Sequence, residues 1–175
     1  DTDELGDLSP EAIAAVAVNP DSTALPVART NGVLTVGVFP TGGLVPGRAS
    51  VVQLDGWTNA DMTVRADAGA VVAWPAERSN NRRGRRPRPG GGDDDPAAAT
   101  KKARQQIDDA FAHCRAWLDR SMVDPTTPPD LRAQALVPAL RGETPVFVLA
   151  NDFEQIESAV LWAVGRELRP VIVGG

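Results

Sequence analysis

Residues 144–175 read TPVFVLANDFEQIESAVLWAVGRELRPVIVGG, and the order of elements in this stretch decides the fold. VFVLA at 146–150 and VIVGG at 171–175 are short and largely β-branched or aliphatic, as strands buried on both faces are. Between them Ile156, Ala159, Val160, Ala163 and Val164 recur at spacings of three and four, which predicts a helix over 153–168 with one buried face. LRAQALVPALRG, just upstream, predicts another helix, capped by Asp130 and ended by Gly142. Helix, strand, helix and strand in so short a stretch need a parallel sheet with a right-handed crossover. Both strands then end on one rim, where α/β barrels keep their chemistry. Asn151 and Asp152 close the first strand there, and Gly174 and Gly175 close the second.

Toward the N-terminus, a long helix is expected from Pro96 to about Met122. Its apolar stripe runs through Ala103, Ile107, Ala110, Phe111, Cys114, Leu118 and Met122. His113 falls on the opposite face with Gln106, Asp109 and Arg120, and reads as an exposed, non-catalytic histidine. Before this helix, MTVRADAGAVVAWP offers one or two strands, with VVAW at 71–74 the better candidate. SVVQL is a short alternating strand, and GVLTVGVF at 32–39 a buried one stopped by Pro40. Ser9-Pro10-Glu11 opens a helix that Asn19-Pro20 ends, and a second helix fits 22–30, closed by Asn31-Gly32. The pair Gly42-Gly43 after a strand allows two readings: plain turn geometry, or close approach of backbone to a ligand. It lacks the spacing of a phosphate-binding loop. The alternation makes the chain α/β, with parallel strands, and favours part of a (β/α) barrel over a doubly wound sheet.

The 175 residues, 42% hydrophobic, suffice for one domain spanning 1–175. A net charge of −5 gives no general attraction to nucleic acid. It conceals a block of six arginines between Arg78 and Arg88, followed by Asp93, Asp94 and Asp95. Arginine, glycine and proline there cannot bury apolar surface, so 78–96 is expected to be a flexible insertion, the alternative being a polyanion-binding patch that attaches the chain to nucleic acid. No apolar run reaches the roughly 18–20 residues of a membrane span. The one cysteine excludes an internal disulfide, and the one histidine excludes a multi-histidine metal site within this chain, so no metal is expected on it. A start without methionine and a strand-like end suggest a piece of a longer protein; localisation stays open.

NPDSTALPVARTNGVLTVGVFPTGGLVPGRASVVQLDGWTNADMTV, followed later by LRAQALVPALRGETPVFVLANDFEQIESAVLWAVGRELRPVIVGG, resembles the central part of amidohydrolase-superfamily proteins of the imidazolonepropionase-related type. The resemblance covers most of the chain outside the Arg-rich insertion. It implies a TIM-like barrel that hydrolyses a C–N bond of a cyclic amide or similar small molecule with a metal-bound water, zinc or a similar cation being held by the full-length protein. The partners it implies are the small-molecule substrate and the remaining segments of the barrel. Where better-known relatives carry histidine at the strand ends, this chain has Leu149 and Gly174-Gly175, which cannot bind a metal. Asn151, Gly42 and Gly43 are then candidates for substrate contact and Asp152 for general acid/base work; the alternative for Asp152 is simple capping of its helix. A second function stays open, a catalytically degenerate barrel that binds a ligand or partner without hydrolysis.

Overall fold

The computed structural model describes residues 6–76 and 96–175. Their centre is a five-stranded sheet in the order β1 (Thr35–Val38), β2 (Gly47–Gln53), β3 (Thr63–Ala73), β4 (Val146–Leu149) and β5 (Pro170–Val173). β3 pairs with β4, and β4 with β5, in parallel, as the spacing of the C-terminal stretch predicts. The first half departs from the expected alternation: β1 with β2 and β2 with β3 are antiparallel. The reason lies in the connections. The loop before β2 and the single turn α2 (Asn59–Met62) after it are too short for a crossover, which needs a dozen or more residues. The sheet is therefore mixed, and its strands are not all parallel as expected.

The pairing is also staggered. Through β2, the strand β1 lies against the start of β3, since Gly37 faces Val51 and Val51 faces Arg65; β4 instead lies against the end of β3, where Ala70 to Ala73 face Val146 to Leu149. Such stagger is the shear that lets a sheet curl toward a barrel.

One face of the sheet is covered by α3 (Pro96–Val123), α4 (Leu131–Leu140) and α5 (Phe153–Val164). Ala70, Val72, Val146, Val148 and Ala150 from the strands meet Ile107, Phe111, Cys114, Leu136, Ala159 and Ala163 from the helices in the main core. Alternation along β4, with Val146 and Val148 buried and Phe147 and Leu149 only half-buried, leaves the second pair on the other face. Phe147 packs edge-on to Phe39, with ring centroids 5.1 Å apart.

Several expectations need correction. The helix expected from Ser9 is reduced to a single 3-10 turn at Ala14–Ala17. The segment before it is pulled into the sheet margin by isolated bridges, Leu8 to Val45 and Ile13 to Arg48, and the Ser9 amide donates to the Val45 carbonyl. Of the one or two strands expected in MTVRADAGAVVAWP there is one, Thr63–Ala73, while the expected strand 32–39 keeps only Thr35–Val38. Met122 is 67% exposed because α3 runs past its contact with α4, and Val164 is 60% exposed on the outer side of α5. The helix 22–30 shortens to α1 (Ala24–Thr30). The expected insertion 78–96 lies outside the described residues up to Pro96, which opens α3.

Candidate functional site

The carboxyl ends of β3, β4 and β5 come together on one rim. Trp74 donates its amide to the Leu149 carbonyl at 3.1 Å, and Ala150 donates to the Val173 carbonyl at 3.2 Å. Asn151 and Asp152 therefore sit where β4 hands over to α5, and both side chains are exposed. Gly174 lies directly beneath Asn151: a Cβ on this glycine would be 2.5 Å from Asn151 Oδ1 and 2.7 Å from the Ala150 carbonyl. The absence of a side chain at 174 is what lets the Asn151 carboxamide lie over β5.

Asp152 is the N-cap of α5, as the capping alternative expects, and Gln155 stands at the third helical position. Gln155 is the residue whose role the sequence reading missed. It is buried, and its Oε1 accepts from the amides of Asn151 at 3.0 Å and Asp152 at 3.2 Å. Its Nε2 donates to the Trp74 carbonyl at 2.9 Å, so one side chain ties the end of β3 to the end of β4. An Asp followed three residues later by Gln is the capping-box spacing, and that signal was available in the sequence.

Gly42 and Gly43 stand in the β1–β2 loop. A Cβ on Gly43 would be 2.8 Å from the Asp7 carbonyl, because the Leu44 and Val45 amides both donate to that oxygen. Gly43 thus approaches the chain's own N-terminal segment. The same loop reaches the rim through Leu44, whose carbonyl accepts from Ala73 at the end of β3.

The strand ends do not fit a metal. Leu149 and Val173 carry aliphatic side chains, and Gly174 none. Among the described residues no three His, Cys, Asp or Glu side chains gather where they could hold an ion.

Elsewhere, His113 and Cys114 join the helices rather than a site. His113 Nε2 lies 2.8 Å from Asp130 Oδ2, while Asp130 Oδ1 caps α4 by accepting from the amides of Arg132 and Ala133, both at 3.0 Å. The hydrogen bond from His113, then that from Ala133, holds the Asp130 carboxyl below its usual range. The Cys114 thiol is buried and donates to the Ala133 carbonyl at 3.0 Å; burial first, and the Asp130 charge second, push it up to about 11. His113 is exposed, as expected.

A mixed α/β sheet that curls as part of a barrel, with helices on one face, is the class these observations define. The fold matches the crystal structure of an amidohydrolase from Thermotoga maritima with a TM-score of 0.76 and 19% sequence identity, over 95% of this chain and 43% of that one. At this identity the likeness is one of fold, and the chain spans less than half the length of that protein. No protein-family model and no curated protein matches the chain.

Proposed function

We propose that the chain is the central part of an amidohydrolase-like barrel, related to imidazolonepropionase, that hydrolyses C–N bonds other than peptide bonds in a cyclic amide or related small molecule. The observation that carries this reading is the fold likeness to the Thermotoga maritima amidohydrolase, together with a rim on which the ends of β3, β4 and β5 converge. Fold alone does not define a reaction, so the rim residues bear the rest of the argument. Asn151 presents an exposed carboxamide, a donor and an acceptor, to a polar neutral substrate. Asp152 presents an exposed carboxyl beside it, able to accept or return a proton when the ring opens.

A divalent cation, zinc or similar, belongs to this reading only through segments of the full-length barrel. Leu149 and Gly174 do not fit it, and this chain's part is to bind, to orient and, through Asp152, to move a proton. The substrate and the remaining barrel segments are the partners proposed. Nucleic acid is not among the proposed partners, because a net charge of −5 gives no general attraction to it; the Arg block lies outside the described residues. No described helix is long and apolar enough to cross a membrane.

The second reading, a degenerate barrel that binds without hydrolysis, is favoured by one observation, the non-ligating strand ends at Leu149 and Gly174. One experiment separates the two. The intact protein is incubated with five- and six-membered cyclic amides, with added zinc or manganese and with chelator, and ring opening is followed by NMR. Ring opening supports the hydrolase. Binding without ring opening under any condition overturns it in favour of the degenerate barrel.

A further inference from the structure

The geometry points to Gln155 as a positioning residue that holds the backbone of Asn151 at the rim and so places its carboxamide to pair, through one donated and one accepted hydrogen bond, with the N–H and C=O of a cyclic amide. This inference rests on the proposed function and deepens it.

Gln155 makes three hydrogen bonds, to Asn151 N, Asp152 N and Trp74 O, and is 8% exposed. The amide orientation follows from the partners, because two N–H donors require the oxygen and a carbonyl requires the nitrogen. A buried group satisfied on both ends is costly to replace: a severed partner left without water forfeits roughly 1–3 kcal/mol. The two amides it holds belong to the residues that turn the chain from β4 into α5, so Gln155 sets the backbone of Asn151. Gly174 leaves room for its side chain over β5, since a Cβ there would collide with Oδ1. The Asn151 backbone is thereby held, and among the described residues no hydrogen bond to its exposed carboxamide is seen. A polar group carried on a held backbone and left unpaired on a rim is available to a ligand.

The chemistry of the group selects the ligand. A carboxamide offers N–H and C=O side by side. In a small ring the amide is held cis, with its own N–H and C=O on one edge, so the two edges match in a closed pair of hydrogen bonds. An open-chain trans amide presents them on opposite edges and cannot form that pair. A carboxylate at 151 would keep two acceptors and lose the donor.

The test uses the intact protein and two probes, 2-pyrrolidinone and N-methyl-2-pyrrolidinone, which lacks the N–H. Affinity is measured by NMR titration, and exchange of the Asn151 and Asp152 amides by hydrogen–deuterium exchange. The wild type should bind 2-pyrrolidinone at least tenfold more tightly than the N-methyl compound, and Asn151→Ala, which removes the acceptor for the ring N–H, should abolish that preference at unchanged Tm. Gln155→Met should speed exchange at both amides and weaken 2-pyrrolidinone at least tenfold. Gln155→Glu, which keeps an oxygen for both amides but sets a buried carboxylate against the Trp74 carbonyl, should be less stable than the wild type at neutral pH yet protect both amides better than Gln155→Met. A Gln155→Met protein that is less stable but keeps its probe preference leaves Gln155 a merely structural residue and overturns the inference, even where ring opening upholds the proposed function. Equal affinity of the wild type for both probes overturns the pairing. A wild type that neither binds nor opens any cyclic amide overturns inference and proposed function together.

Discussion

Replacing Gly174 by alanine tests the rim most directly. Gly174 has φ 112°, a conformation that a residue with a Cβ adopts only under strain; that alone costs about 1–2 kcal/mol. The new methyl would stand 2.5 Å from Asn151 Oδ1 and 2.7 Å from the Ala150 carbonyl. The carboxamide can swing away. The carbonyl cannot follow easily, because the Ala150 amide is held by Val173 at 3.2 Å. Relieving that contact requires β5 to move, at a further cost of roughly 1–3 kcal/mol by the usual scale of overpacking. Gly174→Ala should therefore destabilise by about 2–5 kcal/mol in urea unfolding at unchanged m. The control is Gly32→Ala, where φ is 84° and nothing lies within 4 Å of the added methyl, so only the backbone strain of about 1–2 kcal/mol remains. If Gly174→Ala costs no more than Gly32→Ala, the close packing of Asn151 over β5 is refuted.

Other consequences are simpler to read. Glu167 has φ 60° just beyond α5, where the Leu168 amide returns to the Ala163 carbonyl at 3.0 Å, an αL helix ending that favours glycine; Glu167→Gly should raise stability by about 0.5–1 kcal/mol in the same urea assay, and a loss would contradict it. The Cys114 thiol, raised to about 11, should resist a thiol reagent at pH 8 in the native protein and react fully in urea; fast native labelling would show it is not buried as described. Because that pKa is raised on an acidic group, its contribution is lost as pH climbs above the ordinary thiol value of 9.0, so stability should fall in alkali and Cys114→Ala should flatten that fall. The Asp130 carboxyl is lowered, so its contribution is present above the ordinary aspartate value of 3.8 and disappears as pH drops through the folded value. Asp130→Asn should weaken the acid limb below about pH 4, and an identical acid limb in both proteins would refute the role of the His113 contact.

The second half of the fold was legible because each element there carries its own signal. Asp130 caps, Gly142 ends, and β-branched runs alternate with a stripe of period 3.6, so strand and helix follow from local chemistry. The first half was not, because its register depends on long-range partners. Ser9 and Pro10 look like a helix start, yet the Ser9 amide is taken by Val45 and the Arg48 amide by Ala12, bonds to residues far along the chain. Ser50 shows the same: its hydroxyl is wholly buried between the Ala15 amide and the Ala66 carbonyl, which no local pattern announces. At the rim, Asn151 and Asp152 were found from their place after a strand. Gln155 stands in the first turn of the helix that Asp152 caps, but its tie to β3 was not legible, because only the arrival of Trp74 from far along the chain gives its amide a partner.

The apolar face opposite the helices bears on which ligand such a rim can take. Leu149 pairs with Val173 and Phe147 with Val171 in the β4–β5 ladder, and none of the four reaches the helix-side core that holds Val146, Val148 and Ala150. By the period of two they lie together on the other face, with Phe39 edge-on to Phe147. A hydrated cation placed against four such side chains would lose water without gaining ligands, at a cost far above any dispersion it could recover. A neutral ring loses little and gains contact area, at about 25 cal/mol per Å² of apolar surface covered. Apolar side chains up to the last ladder residue and a carboxamide immediately beyond it therefore suit a small ring carrying one polar edge. On the proposed reading Leu149 is an apolar wall for that ring and not a ligand for a metal.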